Sequence, residues 1–424
     1  MRYLLLFTVT ILFFVQCKNM ETSKEVFTME TLTRDGAWCW FSEPRAIYHH
    51  GEKEQTYAGW ITSGGDVTVA ALNHETGSWT SHVVHRRLEA DDHDHPVIYV
   101  RKDNRLVVFY SKHSKGSMYV AISKRPEDIT EWREADTFGE NVTYANPLRS
   151  GDSLFVFYRD LNWHPTLITS GDEGETWEKP RQFIRGGGER PYAKYTADKF
   201  GRIFTAFTGG HPRKEPRNKI FFANYDFGLV KRGNGTMSSI FAGENEGIDI
   251  DRDPLDTVYN AFNGKAWIWD IACADENEPV LVYAMFPTDT AHQYYYARWN
   301  GEKWENHRIS EGGGWFPQTP GGEEETEPNY SGGVTLDHED PFTVYLSKPV
   351  NGVFEIFRYI TPDSGRTWQS EQLTHDTPAG VLNVRPVVPR NHKPGAVDLL
   401  WMRGSYTHYT DFGTQIMAGS FEKK

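Results

Sequence analysis

The chain has 424 residues, of which 14% are aromatic, 38 are glycine and 3 are cysteine. A formal net charge of −13 with no basic stripe argues against nucleic acid as a partner. With no CxxC pair and no metal-type Cys/His cluster, cysteine chemistry supplies no frame for the fold, and Cys39 and Cys273 are expected as buried thiols.

Taken in chain order, the one long apolar run is Tyr3 to Val15, after Arg2. It is too short to span a membrane and suits a signal-peptide core. Cys17 follows it, before the polar stretch Lys18 to Glu25. That placement resembles a bacterial lipoprotein site, where the cysteine is lipidated and becomes the first residue. We expect a leader over 1–17, a polar tether over 18–30 and one domain over 31–424, exported and lipid-anchored at Cys17, or otherwise secreted.

Seven similar units follow, each opening near an X-Pro pair and continuing through apolar strands, often to a closing Trp. The first runs from Trp38 through Glu43-Pro44-Arg45 to Trp79. The second opens at His93-Asp94-His95-Pro96 and the third at Tyr144-Ala145-Asn146-Pro147. The fourth opens at Arg190-Pro191-Tyr192 and the fifth around Trp267-Ile268-Trp269-Asp270. The sixth opens at Glu327-Pro328-Asn329-Tyr330, after a glycine-rich loop, and the seventh at Val384-Arg385-Pro386. A period of roughly 45–60 residues suits four-stranded blades. One turn occurs twice, as Ser170-Gly171-Asp172-Glu173-Gly174-Glu175-Thr176-Trp177 and as Thr361-Pro362-Asp363-Ser364-Gly365-Arg366-Thr367-Trp368. The Asp can bond amides of its own turn, the Gly can take φ > 0, and the Trp can plug the gap between neighbouring sheets. The motif resembles the Asp-box of sialidase-type propellers, a fold staple not expected to touch substrate. The expected fold is therefore all-β: a seven-bladed β-propeller with four-stranded antiparallel blades.

Proline suits the first residue of a strand, where its missing N–H is harmless. In a propeller those strand starts surround the mouth of the central channel. Glu43, Arg45, His93, His95, Tyr144, Asn146, Arg190, Tyr192, Glu327, Asn329 and Arg385 are thus expected to converge on one funnel. Asp91-Asp92-His93-Asp94-His95, with His113, is the richest cluster, because imidazole can take or give a proton near neutral pH. Metal binding by His93, His95 and a nearby Asp is the alternative for the same residues. No cofactor is expected, and a structural metal ion is left open.

Asp35-Gly36-Ala37-Trp38-Cys39-Trp40-Phe41, Glu43-Pro44-Arg45, Asp92-His93-Asp94, Ser111-Lys112-His113, Phe157-Tyr158-Arg159, Arg190-Pro191-Tyr192 and His211-Pro212-Arg213 together carry a more specific likeness. They resemble the BNR-repeat family of ulvan lyases and related enzymes, over nearly the whole mature chain. The resemblance implies a monomeric propeller that cleaves an anionic rhamnose–uronic-acid polysaccharide by β-elimination at the uronic acid. It implies His93 as base, with Tyr192 as acid to the leaving oxygen or as the base itself. Arg213 and Arg159 would neutralise the substrate carboxylate, with His113 neutralising or orienting. Tyr195 and Arg190 are second choices for these roles. A dehydratase would use nearly the same machinery, a rhamnosidase would call on His49 or His50, and a non-catalytic propeller would only bind sugar. A sialidase leaves the histidine cluster without a role.

Overall fold

The computed structural model describes residues 25–187, 190–226, 228–241, 247–274, 278–314 and 330–423. The leader, Cys17, Glu327 and Asn329 lie outside the described residues. Middle strands such as Leu106–Lys112 and Ser153–Arg159 are unbroken apolar runs because both their faces are buried. A strand needs that pattern when its sheet lies between two others. Among the described residues the strands form seven blades with inner strands Ala46–His50, Val97–Val100, Thr143–Ser150, Ala193–Ala197, Lys265–Cys273, Val334–Leu336 and Leu382–Val387. Each blade steps outward through antiparallel neighbours. The fourth adds Met237–Ile240 and Asp256–Tyr259 to the expected four strands.

The ring closes in two places. Glu25–Thr33 is the outermost strand of blade seven, paired antiparallel with Asp411–Lys423. The polar tether expected through residue 30 is therefore shorter than read, since its last six residues carry ladder hydrogen bonds. At the inner edge Tyr48 N donates to Arg390 O (2.8 Å) and Arg390 N to Ala46 O (3.0 Å), joining blade seven to blade one.

Both Asp-boxes fold as their chemistry dictates. Asp172 accepts from Thr176 N and Oγ1 at 2.9 and 2.6 Å, and Asp363 from Thr367 N and Oγ1 at 2.7 and 2.8 Å. Gly174 and Gly365 sit at φ 96° and 95°, where a Cβ is strained. Trp177 packs on Phe109 of blade two, and Trp368 on Tyr296 of blade five.

The channel is not open. The segment from Trp38 to Glu43, legible in sequence only as the start of the first unit, lies across it and touches all six other blades. Trp38 Nε1 donates to Arg385 O, Cys39 N to Asp92 O and Glu43 N to Ala145 O. Lys194 Nζ donates to Trp40 O, the Trp40 ring stacks on Trp269 at 4.2 Å, and Tyr330 meets it edge-on. This plug divides the channel into two mouths.

Candidate active site

At the mouth where the inner strands begin lies a cavity of about 240 Å³ with Cys39, Trp40 and Phe41 as its floor. Kinks in the inner strands aim side chains into it. The ladder slips between Thr143 and Asn146, between Ile268 and Asp270, and between Val384 and Val387. Tyr144, Arg190 and Arg385 hold left-handed backbones at φ 65°, 57° and 53°. Such conformations cost a non-glycine residue about 1–3 kcal/mol each and gather at functional sites. Pro147, just after one bulge, and Pro386, within another, therefore lie inside strands rather than at strand starts.

Two imidazoles form one wall. Asp91 caps a short turn, Asp92–Asp94, by accepting from His93 N at 2.9 Å. Its carboxylate then bridges the rings: Oδ1 lies 2.6 Å from His93 Nδ1 and Oδ2 3.0 Å from His113 Nδ1. The rings stack at 3.9 Å and 14°. A carboxylate only accepts, so each Nδ1 carries hydrogen. Burial opposes charge on His93, but negative charge beside it, that of Asp91 and Asp92 above all at neutral pH, raises its pKa well above the ordinary value. His113 moves the other way, lowered by burial and by the charge on His93. One ring is an imidazolium; the other is neutral, with a bare Nε2.

The facing wall is Arg159 between two phenols. Its guanidinium carbon lies 4.2 Å from the Tyr192 ring centroid and 4.7 Å from that of Tyr144. Burial works against the Arg159 charge, but the two phenols hold its pKa above the ordinary value. Tyr144 stays a protonated phenol, its pKa pushed well up by burial. His211, 5.4 Å from Tyr192 between ring centroids, is lowered to about 3 by burial and by Arg213, Arg159, Arg190 and Lys214. Arg213 N donates to His211 Nδ1 at 3.1 Å, so His211 is neutral and carries its hydrogen on Nε2. Arg190 and Arg213 stand exposed on the rim.

Six of the seven residues singled out from sequence thus line one cavity: His93, His113, Arg159, Arg190, Tyr192 and Arg213. Tyr195 does not. Three residues beyond Tyr192, on the inner strand Ala193–Ala197, it stacks on Phe157 at 4.3 Å in the core between blades three and four. The expected funnel also splits. Glu43 and Asn146 line the opposite mouth. Arg45 is buried against Glu43 at 2.6 Å, and Arg385 against Asp92. Sequence reasoning named Asp91 and His211 within motifs but gave neither a role, and it passed over Tyr409. Asp91 stands two residues before His93, a spacing that signals a turn cap. Tyr409 sits on a blade-seven hairpin with no proline nearby, 5.1 Å from His93 and 5.6 Å from His113 between centroids.

Cys39, Asp92 and His93, and likewise Asp91, His93 and His113, bring donor atoms within 4.8 Å of one another. The 2.6 Å contact of His93 Nδ1 with Asp91 is an N–H···O bond. It is shorter than the ~3.4 Å edge that tetrahedral bonds of ~2.1 Å would set, so the cluster fits protons better than zinc. His95 turns away, its Nδ1 2.9 Å from Asp92 O, and burial lowers its pKa to about 4. Cys39 is buried, Cys273 is half-buried, and no disulfide joins them.

Fold and site together define a repeat-built β-propeller with an acid–imidazole–phenol pocket at one mouth. The chain belongs to the BNR repeat-containing family, whose model matches residues 55–311. It is 25% identical over 196 residues to an ulvan lyase of Nonlabens ulvanivorans, covering 40% of this chain and 41% of that protein. An ulvan lyase of Alteromonas sp. (strain LOR) is 26% identical over 169 residues, 34% of each chain. The matched segment thus spans well under half the length of these curated relatives. In structure the chain resembles a polysaccharide lyase PL25 ulvan lyase bound to -[GlcA(1-4)Rha3S]-, with a TM-score of 0.72, 14% identity, and coverage of 93% of this chain and 95% of that one. That likeness bears on the fold.

Proposed function

We propose that the protein is a polysaccharide lyase that cleaves a rhamnose–uronic-acid, ulvan-type glycan by β-elimination at the uronic acid. The observation that carries this reading is the pair of stacked imidazoles bridged by the Asp91 carboxylate, facing Arg159 and Tyr192 across one small cavity. Elimination needs three things: opposition to the charge that develops on the carboxylate, a base at C5, and an acid at the leaving O4. The protonated His93 and the planar fork of Arg159 supply the first. The bare Nε2 of His113 takes the C5 proton. The C5–H electrons become the C4–C5 double bond, the C4–O4 bond breaks, and the Tyr192 hydroxyl protonates O4. His93, expected from sequence as the base, and His113, expected as a neutraliser, thus exchange roles, because His93 already holds its proton. Arg190 and Arg213 on the rim draw an anionic chain to a protein of net charge −13.

Incubation with ulvan-type polysaccharide tests this through the ultraviolet absorbance of the unsaturated uronate. Absorbance is expected to rise; its absence across several uronic-acid glycans overturns the reading. Reducing-sugar release without absorbance would mean hydrolysis. No histidine pair at the other mouth favours a hydrolase: His49 pairs with Glu127 at 3.1 Å, His50 is exposed, and neither lines that cavity. The same reading has the protein act as an exported monomer, lipid-anchored at Cys17. Palmitate incorporation that persists in Cys17→Ser would refute the anchor.

A further inference from the structure

We propose that Arg385 and Tyr406 of blade seven are positioning residues that hold Asp92 against His93, so that the protonation of His93 is governed from across the seam of the ring. The inference rests on the lyase reading for its consequence in turnover, but its geometry stands apart from that reading. Both residues lie beyond residue 311, where the match to the family model ends.

Asp92 is fully buried. One oxygen, Oδ2, accepts from Arg385 Nη1 and from the Tyr406 hydroxyl. The Tyr406 hydroxyl in turn accepts from Arg385 Nη2 at 2.9 Å, so its single hydrogen is committed to Asp92. Asp92 N donates to Tyr409 O at 2.8 Å, tying the backbone to the same hairpin. Held this way, the other oxygen, Oδ1, lies 3.1 Å from His93 Nδ1. Asp91 takes the hydrogen of that Nδ1 at 2.6 Å, so Asp92 acts on the imidazolium through its charge. Arg385 also donates from Nη1 to Trp38 O at 2.7 Å, so the plug and the acid share one guanidinium. Its φ of 53° is the strained backbone that lets a side chain on the last inner strand reach them.

The groups facing His93 are Asp91, Asp92 and the buried Asp94 of its own turn, with His113 of blade two. Tyr144 and Arg159 face it from blade three, Cys39 from the plug and Tyr409 from blade seven. Asp94 is neutral, its pKa raised to about 9 by burial and by Asp91 and Glu89. Asp92 is then one of two carboxylates whose charge keeps the proton on His93. Loss of its charge or its aim lowers the His93 pKa and brings the alkaline limb of activity to lower pH.

The test uses the full-length protein labelled with 15N-histidine, with the His93 ring titrated by NMR beside the pH profile of elimination. In Tyr406→Phe the His93 pKa is expected to fall by about half a pH unit, with the alkaline limb following it and KM little changed. In Asp92→Asn it falls further, by about one unit. Added to Asp92→Asn, Tyr406→Phe moves the titration no further, because it acts through Asp92. An unchanged His93 titration in Tyr406→Phe overturns the proposal, whatever happens to melting temperature. So does a shift that adds in full to that of Asp92→Asn. If Asp92→Asn fails to fold, Tyr406→Phe decides alone. A protein without lyase activity whose His93 titration still moves refutes the lyase reading and leaves the positioning intact.

Discussion

The plug leaves the propeller with two unequal mouths. The one where the inner strands end holds about 870 Å³, the other about 240 Å³. Size alone favours the larger as the working site. Its ionisable groups, however, are committed to one another. Glu43 is held ionised against burial by Arg45 and Lys194, its carboxylate 2.6 and 3.4 Å from them. Asp270 accepts from His338 at 3.0 Å, with Arg390 3.7 Å away. At the small mouth the pairing stops one atom short. Asp91 takes the Nδ1 hydrogens of two imidazoles and leaves both Nε2 positions uncommitted to it. Reactivity here follows from which atoms the hydrogen-bond network leaves over, and not from volume.

That contrast breaks most visibly at the proton-transfer residues. His113→Ala and Tyr192→Phe are each expected to lower kcat by about 10²–10⁴-fold while far-ultraviolet circular dichroism stays native. Comparable losses from substitutions at the large mouth would reverse the assignment. Arg159→Lys keeps the charge but loses the planar fork. It should lower kcat/KM by about 10²-fold, mostly in kcat, because the charge it opposes develops in the transition state. A pure rise in KM would instead make Arg159 a ground-state anchor.

The pH profile sharpens the same comparison. The active form has His113 neutral and His93 charged. His113 is lowered from 6.5 by burial and by His93, so activity rises through an acid limb below that value. His93 is raised well above 6.5, so activity is lost through an alkaline limb on the far side. The profile is a broad bell whose limbs belong to the pair bridged by Asp91. Stability carries the same sign: the raised His93 pKa contributes fully below the unfolded value and is lost as pH rises through the folded one. A single rising limb through neutrality would show that His93 acts as a neutral base.

The fold was legible because its signals are local. An Asp-box is eight consecutive residues, and X-Pro pairs mark all the inner strands but the fifth within a few positions. The cavity was legible where a lining side chain sits near such a marker, as His93 and Tyr192 do. It failed where side-chain alternation decides. Tyr192 and Tyr195 lie three apart, so alternation sends them to opposite sides, and the sequence does not say which side is the cavity. Arg385 stands beside a proline like the rest, yet it serves Asp92 from inside the ring. The plug was invisible because its contacts join residues as distant as Trp38 and Arg385. Tyr409 carries no local marker and is placed by hairpin register alone.

The smallest effect on turnover is expected from the most disruptive-looking change at the large mouth. His338 is half-buried and neutral, its pKa lowered to about 4 by desolvation and by Arg390. Its ring nitrogen satisfies Asp270, which also accepts from Thr335 Oγ1 and Leu336 N at 2.9 and 3.1 Å. His338→Asn removes a hydrogen bond from a buried carboxylate, which costs about 1–3 kcal/mol and lowers the melting temperature. Because Asp270 keeps Thr335 Oγ1, Leu336 N and Ile271 N as donors, with Arg390 nearby, the strain stays local, and Lys194 still holds Trp40 O beneath the cavity floor. The kcat/KM ratio is expected to stay within about threefold of the native value, under 1 kcal/mol in the barrier. A loss of tenfold or more, with the protein folded, would show that the plug transmits structure between the mouths, and the division drawn above would fall.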